Sequence, residues 1–153
     1  MNLDKALDII KKYEKCRLES YKDDVGIWTC GWGTVNCSDG SKVDDKTKWT
    51  QERCDAELLH HVEDTSQRII DLCYPVELNE NQHNALVSLV YNIGIGNFRG
   101  STILKHIHIP NVYRNESIAD QFLDWNKGRV DGKLVVLDGL TKRREEERSL
   151  FLS

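Results

Sequence analysis

Several features are scarce in this chain: proline, basic excess, long apolar runs and closely spaced cysteines. Each absence narrows what it can be. Two prolines, and no Ser/Gly-rich or low-complexity stretch, exclude a rigid linker, a collagenous segment and a disordered tail. A formal net charge of −4 excludes a general nucleic-acid binder, which needs a basic surface to meet phosphates. The densest basic run, Lys142-Arg143-Arg144, is followed at once by Glu145-Glu146-Glu147 and reads as a solvated helix face. No stretch approaches the roughly 20 apolar residues of a membrane span, and Met1-Asn2-Leu3-Asp4-Lys5-Ala6 lacks the basic and apolar regions of a secretory signal. The expectation is a chain made and left in a cytoplasm, without stable membrane association.

Five cysteines, an odd number with no CxxC pair, signal neither a zinc ribbon nor a complete disulfide framework. Free thiols are expected in a reducing compartment. The alternative is a Cys30–Cys37 bridge, formed after export, between the two ends of a Gly-rich hairpin. His60-His61, His83, His106 and His108 raise the question of a metal. Adjacent histidines face different ways on a helix, however, and no cysteine lies at ligand spacing from them, so no metal site is expected.

What is present is enough for one domain: 153 residues bury a sizeable core without crosslinks. Leu3, Ala6, Leu7, Ile10 and Glu14 fall on one helical stripe, predicting a first helix over 3–14 with a glutamate near its C-terminal end. From Leu18 to Val43, short apolar and aromatic runs punctuated by Gly26, Gly31, Gly33 and Asp39-Gly40 predict a small antiparallel meander, a β-lobe over about 17–46. A helical lobe over about 50–153 follows. Thr50 reads as an N-cap with Trp49 and Cys54 as a hydrophobic staple, and Cys54, Leu58, Val62, Ile69 and Cys73 form a stripe that Pro75 ends. Asn79 caps a second helix bearing Ala85, Leu86, Leu89, Val90 and Ile93, closed by Gly94 and Gly96. Shorter helices begin at Ser101 and Asn115, Asp131-Gly132 is a hairpin turn, and a last helix runs from about Lys142 to Leu152. The fold class is α+β, a small antiparallel sheet lobe plus a mostly helical lobe.

Two carboxylates in this plan occupy contrasting environments. Glu14 on an apolar helix face, at the negative helix end, is expected to hold its proton, which suits a general acid. Asp23, in the polar turn Lys22-Asp23-Asp24, is expected to stay ionised. Such a pair is what glycosidic cleavage requires. Thr29, in the next strand, offers a hydroxyl that can hold a water beside Asp23. Each residue alone has an ordinary structural reading: a frayed helix end, a turn-forming aspartate and a β-branched strand residue.

The spacing Glu14-x8-Asp23-x5-Thr29, within Tyr13 to Gly33, closely resembles the catalytic segment of phage-type lysozymes, glycoside hydrolase family 24. The resemblance extends to the segments Asn81 to Leu89, Tyr91 to Phe98, Phe122 to Asn126 and Gly139 to Phe151, which spread it over nearly the whole chain. It implies a two-lobed lysozyme-like fold and an endolysin, a muramidase that cleaves bacterial peptidoglycan between N-acetylmuramic acid and N-acetylglucosamine. Glu14 would protonate the glycosidic oxygen while Asp23 and Thr29 orient the attacking water. That is the inverting route, with carboxyls about 6.5–9.5 Å apart. No metal or cofactor is implied. An arginine of the last helix supports the acid in relatives; Arg143 is the nearest match and Arg144 the alternative. Tyr21, Trp32 and Tyr91 are candidates for stacking on sugar rings, with a core role as the other reading.

The resemblance further implies a monomer that waits in the host cytoplasm and reaches the wall through a holin-type membrane lesion. Thr34 departs from the pattern, because many relatives have His there. The acidic balance departs too, and moves binding from long-range steering to contacts in the cleft. The rivals are a non-catalytic peptidoglycan-binding protein on the same fold, and a lytic transglycosylase. Retention of all of Glu14, Asp23 and Thr29 weighs against both.

Overall fold

The computed structural model describes residues 1–153 and holds seven α-helices and four short strands. Two compact units are formed, one from Ile10–Asp64 and one from Met1–Ile9 with Thr65–Ser153. No helix is long and apolar enough to cross a membrane.

The first helix, α1 (Asp4–Tyr13), buries Ala6, Ile9 and Ile10. Its opening N–H groups have no partner inside the helix and are met from outside. Asn2 Oδ1 accepts from Asp4 N at 2.7 Å, and the buried Asn84 Oδ1 accepts from Ala6 N at 2.9 Å. Glu14 follows directly, its N–H still bonded to Ile10 O at 2.8 Å.

In the unit Ile10–Asp64, β1 (Arg17–Lys22) pairs antiparallel with β2 (Trp28–Gly31), with Tyr21 opposite Thr29 and Arg17 opposite Gly31. The expected meander is reduced to this hairpin plus the single bridges Glu19–Lys48, Cys30–Thr34 and Asn36–Lys42. The reason is local competition: Asp39 accepts from Ser41 N and Asp44 from Lys46 N, so side chains take backbone donors that a longer ladder would use. Glu57, itself buried, then fixes this loop through Ser38 N and Ser38 Oγ, both at 2.9 Å, and bonds Arg53 Nε.

Helix α2 (Gln51–Cys73) begins as expected, with Thr50 Oγ1 accepting from Arg53 N at 3.2 Å. Cys54, Leu58, Val62, Ile69 and Cys73 are all buried along one stripe. Burial of each Leu or Ile side chain contributes about 1.5–3 kcal/mol. At Gly31, with φ +65°, a side chain would be strained by the backbone and its Cβ would crowd Trp49 and Cys54 at 3.3 Å, so glycine suits the close approach of the strand end to the start of α2.

The helical unit is built around α3 (Glu80–Ile93), opened by a capping box in which Asn79 and Gln82 exchange bonds, and buried without interruption from His83 to Val90. Gly94, with φ +88°, closes it. Gly96 does not share that role as expected, because it lies inside the next short helix, α4 (Ile95–Arg99). Two further helices are α5 (Thr102–Ile107), capped by Ser101, and α6 (Asn115–Asp120), which is followed by a 3-10 turn over Gln121–Asp124. The hairpin β3 (Lys127–Val130) and β4 (Lys133–Val136) turns on Asp131 and Gly132, both at positive φ, as that dipeptide predicts.

The last helix, α7 (Asp138–Leu152), starts one turn earlier than expected, since Thr141 N bonds Leu137 O and Asp138 favours the positive helix start. The solvated reading of its charge run is also overturned. Lys142 and Glu145 are exposed, but Arg143, Arg144 and Glu147 are 2%, 0% and 0% exposed. Spacings of three and four residues bring both guanidiniums onto one carboxylate. Glu147 Oε1 accepts from Arg143 Nε at 3.1 Å, Arg144 Nη2 at 2.9 Å and Ser88 Oγ at 2.8 Å. Arg143 Nη2 donates to Ser88 O and Arg144 Nη1 to Trp125 O, while Arg144 Nε lies 2.9 Å from Glu147 Oε2. Burial pushes the Glu147 carboxyl up, and the two guanidiniums with the Ser88 hydroxyl oppose it.

Removing this carboxylate leaves two buried cations unpaired, so Glu147→Ala is expected to lose about 3–5 kcal/mol in urea unfolding. A loss below about 1 kcal/mol, the ordinary worth of an exposed pair, would show the cluster to be energetically idle. A second expectation concerns His83, buried in α3 with Nε2 2.6 Å from Ser66 Oγ. Burial lowers its pKa from the ordinary 6.5, so below that pH the unfolded chain takes up a proton that the folded chain resists. Stability is therefore retained above about pH 6.5 and falls as the pH drops through the window beneath it, by at most about 1.4 kcal/mol per unit. The difference between wild-type and His83→Gln unfolding free energies across this range measures it; parallel pH curves would remove His83 as the cause.

Candidate active site

The residues singled out by spacing divide between the units. Glu14, Tyr21, Asp23, Thr29 and Trp32 belong to Ile10–Asp64, whereas Tyr91 and Arg143 belong to the helical unit. Glu14 is half-buried at the end of α1, where the helix has just ended and the chain turns into β1.

Asp23 closes the β1–β2 hairpin. Its Oδ1 accepts from Val25 N at 3.0 Å and Ile27 N at 2.8 Å, while its own N–H bonds Ile27 O at 2.9 Å. The turn-forming role and the proposed chemical role are thus compatible: both backbone donors converge on one carboxylate oxygen, and Oδ2 is available to a ligand. Thr29, buried on β2, donates its hydroxyl proton to Ile27 O at 3.0 Å. With that proton committed, Thr29 Oγ1 faces any further partner as an acceptor.

Tyr21 stands opposite Thr29 in the ladder, which puts the two side chains on the same face of the sheet. Arg17, four residues earlier on the same strand, places its guanidinium 4.4 Å from the Tyr21 ring centre. Burial pushes the Tyr21 hydroxyl up; Arg17 opposes this, and the carboxylates of Glu14 and then Asp23 add to it. One phenol therefore feels both carboxylates, which ties the helix end and the hairpin turn to the same patch of charge.

Trp32 is half-buried and oriented by groups that sequence reasoning missed. Its Nε1 donates to Asp55 Oδ1 at 2.7 Å, Gln51 donates to the same oxygen, and the Lys11 ammonium lies 5.9 Å from the ring centre. No local pattern links Asp55 to Trp32. Arg17 was missed too, and strand alternation alone would not have found it, because the β1–β2 register shifts between Arg17 and Tyr21. Thr34, where histidine was the expectation from the resemblance, is buried, and its hydroxyl has no hydrogen-bond partner.

In the helical unit, Tyr91 is half-buried near the end of α3. Arg143 is held by Glu147 and by the Ser88 carbonyl, its head fixed rather than waving in solvent. No three histidine, cysteine or carboxylate side chains are grouped as a metal site needs.

Comparison with known proteins finds similarity to phage lysozymes and endolysins along nearly the whole chain. Residues 11–147 match the family described as Phage lysozyme. The chain is 37% identical to an endolysin of Acyrthosiphon pisum secondary endosymbiont phage 1, covering 98% of this chain and 97% of that one. Among solved structures it is similar to an endolysin from Escherichia coli O157:H7 phage FAHEc1, with a TM-score of 0.84 and 36% identity over 100% of this chain and 94% of the other. It is also similar to the muramidase domain of SpmX from Asticaccaulis excentricus, with a TM-score of 0.80 and 28% identity over 97% and 95% of the two chains.

The geometry at Asp23 separates its two roles. Asn keeps an oxygen for the Val25 and Ile27 N–H groups, so Asp23→Asn is expected to unfold within about 0.5 kcal/mol of wild type, whereas Asp23→Ala loses about 1–2 kcal/mol by orphaning both donors. Equal stability of the two variants in urea titration would mean that the hairpin does not depend on this carboxylate.

Proposed function

The chain belongs to the phage lysozyme family and is a lysozyme that lyses the bacterial host cell wall, and we propose that it hydrolyses the β-1,4 bond between N-acetylmuramic acid and N-acetylglucosamine with inversion. Glu14 is the general acid: it passes its proton to the glycosidic oxygen as the bond to the anomeric carbon breaks. The observation that supports this reading is the shared acceptor character of Asp23 and Thr29, each already hydrogen-bonded in a way that leaves an acceptor. A water held by two acceptors, Asp23 Oδ2 and Thr29 Oγ1, gives both its protons to them and turns a lone pair outward. Attack of that lone pair on the anomeric carbon, with Asp23 taking the proton, completes hydrolysis and inverts the centre.

Tyr21, Trp32 and Tyr91 are the proposed sugar platforms, and Arg143 the proposed support of Glu14, carried from the family pattern. The rigid hold of Glu147 and Ser88 on Arg143 favours a positioning role. Peptidoglycan is the substrate. The enzyme acts as a monomer, stored in the host cytoplasm until a holin-type membrane lesion admits it to the wall. Cells that express it without such a lesion are expected to stay turbid, and to clear once their membrane is permeabilised.

The decisive assay is loss of turbidity of purified peptidoglycan by folded wild type, Glu14→Gln and Asp23→Asn. Loss of the acid or base is expected to lower the rate by at least about 10²–10⁴-fold. Combining Arg143→Ala with Glu14→Gln should cost no more than Glu14→Gln alone, since a support cannot act without its acid. Clearing by the Glu14 variant at the wild-type rate would remove Glu14 from the chemistry. Products ending in anhydro sugars would establish a transglycosylase instead, and absence of clearing by any form would leave a wall-binding protein.

A further inference from the structure

Three of the five cysteines, Cys16, Cys30 and Cys54, meet where β1, β2 and the start of α2 converge, in a cluster that the hydrolytic chemistry does not use. Arg17 is the ladder partner of Gly31, and a Cβ built on Gly31 would lie 3.3 Å from Cys54 Sγ. Cys16, next to Arg17, is thereby brought beside Cys54. An independent contact agrees: Gln51, three residues before Cys54 and on the same first turn of α2, donates to Cys16 Sγ at 3.5 Å. Cys30 is engaged elsewhere, its thiol directed at the carbonyls of Arg17 and Leu18, each at 3.5 Å. Cys16 is half-buried and open to a reagent, whereas Cys54 is fully buried.

We propose that Cys16 and Cys54 are an oxidation site, joined as an intramolecular disulfide when the folded chain meets a disulfide oxidant. The bond would close the segment 17–53, which contains β1, β2, Asp23 and Thr29, and would anchor the chain just after Glu14 to the start of α2. The chemistry is two exchanges. The Cys16 thiolate attacks the oxidant disulfide, forming a mixed disulfide and releasing one thiolate. The Cys54 thiolate then attacks the Cys16 sulfur and expels the second. Two protons leave the protein, and the oxidant is reduced to two thiols. The five cysteines are free in this structure, and the proposed crosslink is one for an oxidising compartment.

The second step is slow at neutral pH, because burial, the largest cause of the raised Cys54 pKa, holds that thiol protonated after Cys16 has reacted. Its rate is expected to rise with pH by up to about tenfold per unit, following the thiolate fraction.

The test uses the full chain and oxidised glutathione, without any wall substrate, so its outcome is independent of the hydrolytic reading. Free thiols are expected to fall from five to three with the loss of two hydrogens in mass, and peptide mapping is expected to find Cys16 linked to Cys54. Closing so long a loop should raise Tm by about 5 °C or more. Cys16→Ser and Cys54→Ala should each abolish the crosslink and that gain; mapping of the wild type decides the case if either variant fails to fold. A Cys30–Cys37 link, a glutathione adduct that persists on Cys16, a disulfide-linked dimer, or five thiols remaining at pH 9 would overturn the proposal.

Discussion

The carboxylate of Glu147, sealed between the guanidiniums of Arg143 and Arg144, is the interaction on which the packing of α7 against α3 depends. Taking three charges out of water costs several kcal/mol per ion unless each finds partners in fixed directions. Here the partners come from three places in the chain: Ser88 on α3, the Trp125 carbonyl before β3, and α7 itself. A sliding apolar seam would tolerate several registers of α7. This one admits few, because a shift by one residue would rotate a guanidinium or the carboxylate out of the cluster. The same constraint explains why a helix with so weak an apolar stripe is buried where it is.

The β unit solves its own problem with smaller forces. Its sheet is only two short strands, and such a hairpin is marginal alone. Asp23 compensates by accepting two backbone N–H groups at the turn, Glu57 secures the following loop, and Gly31 lets the strand end lie against Trp49 and Cys54. The groups read as catalytic are thus also part of the scaffold. Asp23 shapes the hairpin with one oxygen, and Thr29 anchors itself with its hydroxyl proton and keeps its lone pairs. This economy leaves the pair Asp23 and Thr29 preorganised as acceptors before any substrate arrives.

Much of this was readable in the chain because the deciding physics is local. The Thr50, Asn79 and Ser101 caps, the Asp131-Gly132 turn and the stripe from Cys54 to Cys73 depend on residues within a few positions of one another, and each lies where its signal placed it. The placement of Glu14, Asp23 and Thr29 was legible for the same reason, since they fall within one helix end and one hairpin. Misreadings arose where distant partners decide. The Lys142–Glu147 run looks solvated because nothing nearby announces Ser88 or Trp125, and Gly96 looks like a stop although the chain resumes helix through it. The meander shrank because aspartates claimed backbone donors on behalf of their own turns.

By itself the sequence determined the element plan, the acidic balance that turns away polyanions, and the order of the groups proposed for the chemistry, since propensity, capping and net charge are properties of neighbouring residues or of the composition. Only the tertiary structure decided which charges are buried, which oxygen of Asp23 is left for a ligand, which groups orient Trp32 and Tyr21, and which thiols stand side by side. Those depend on contacts between residues far apart in the chain, where desolvation and hydrogen-bond direction are set by whatever the fold brings alongside.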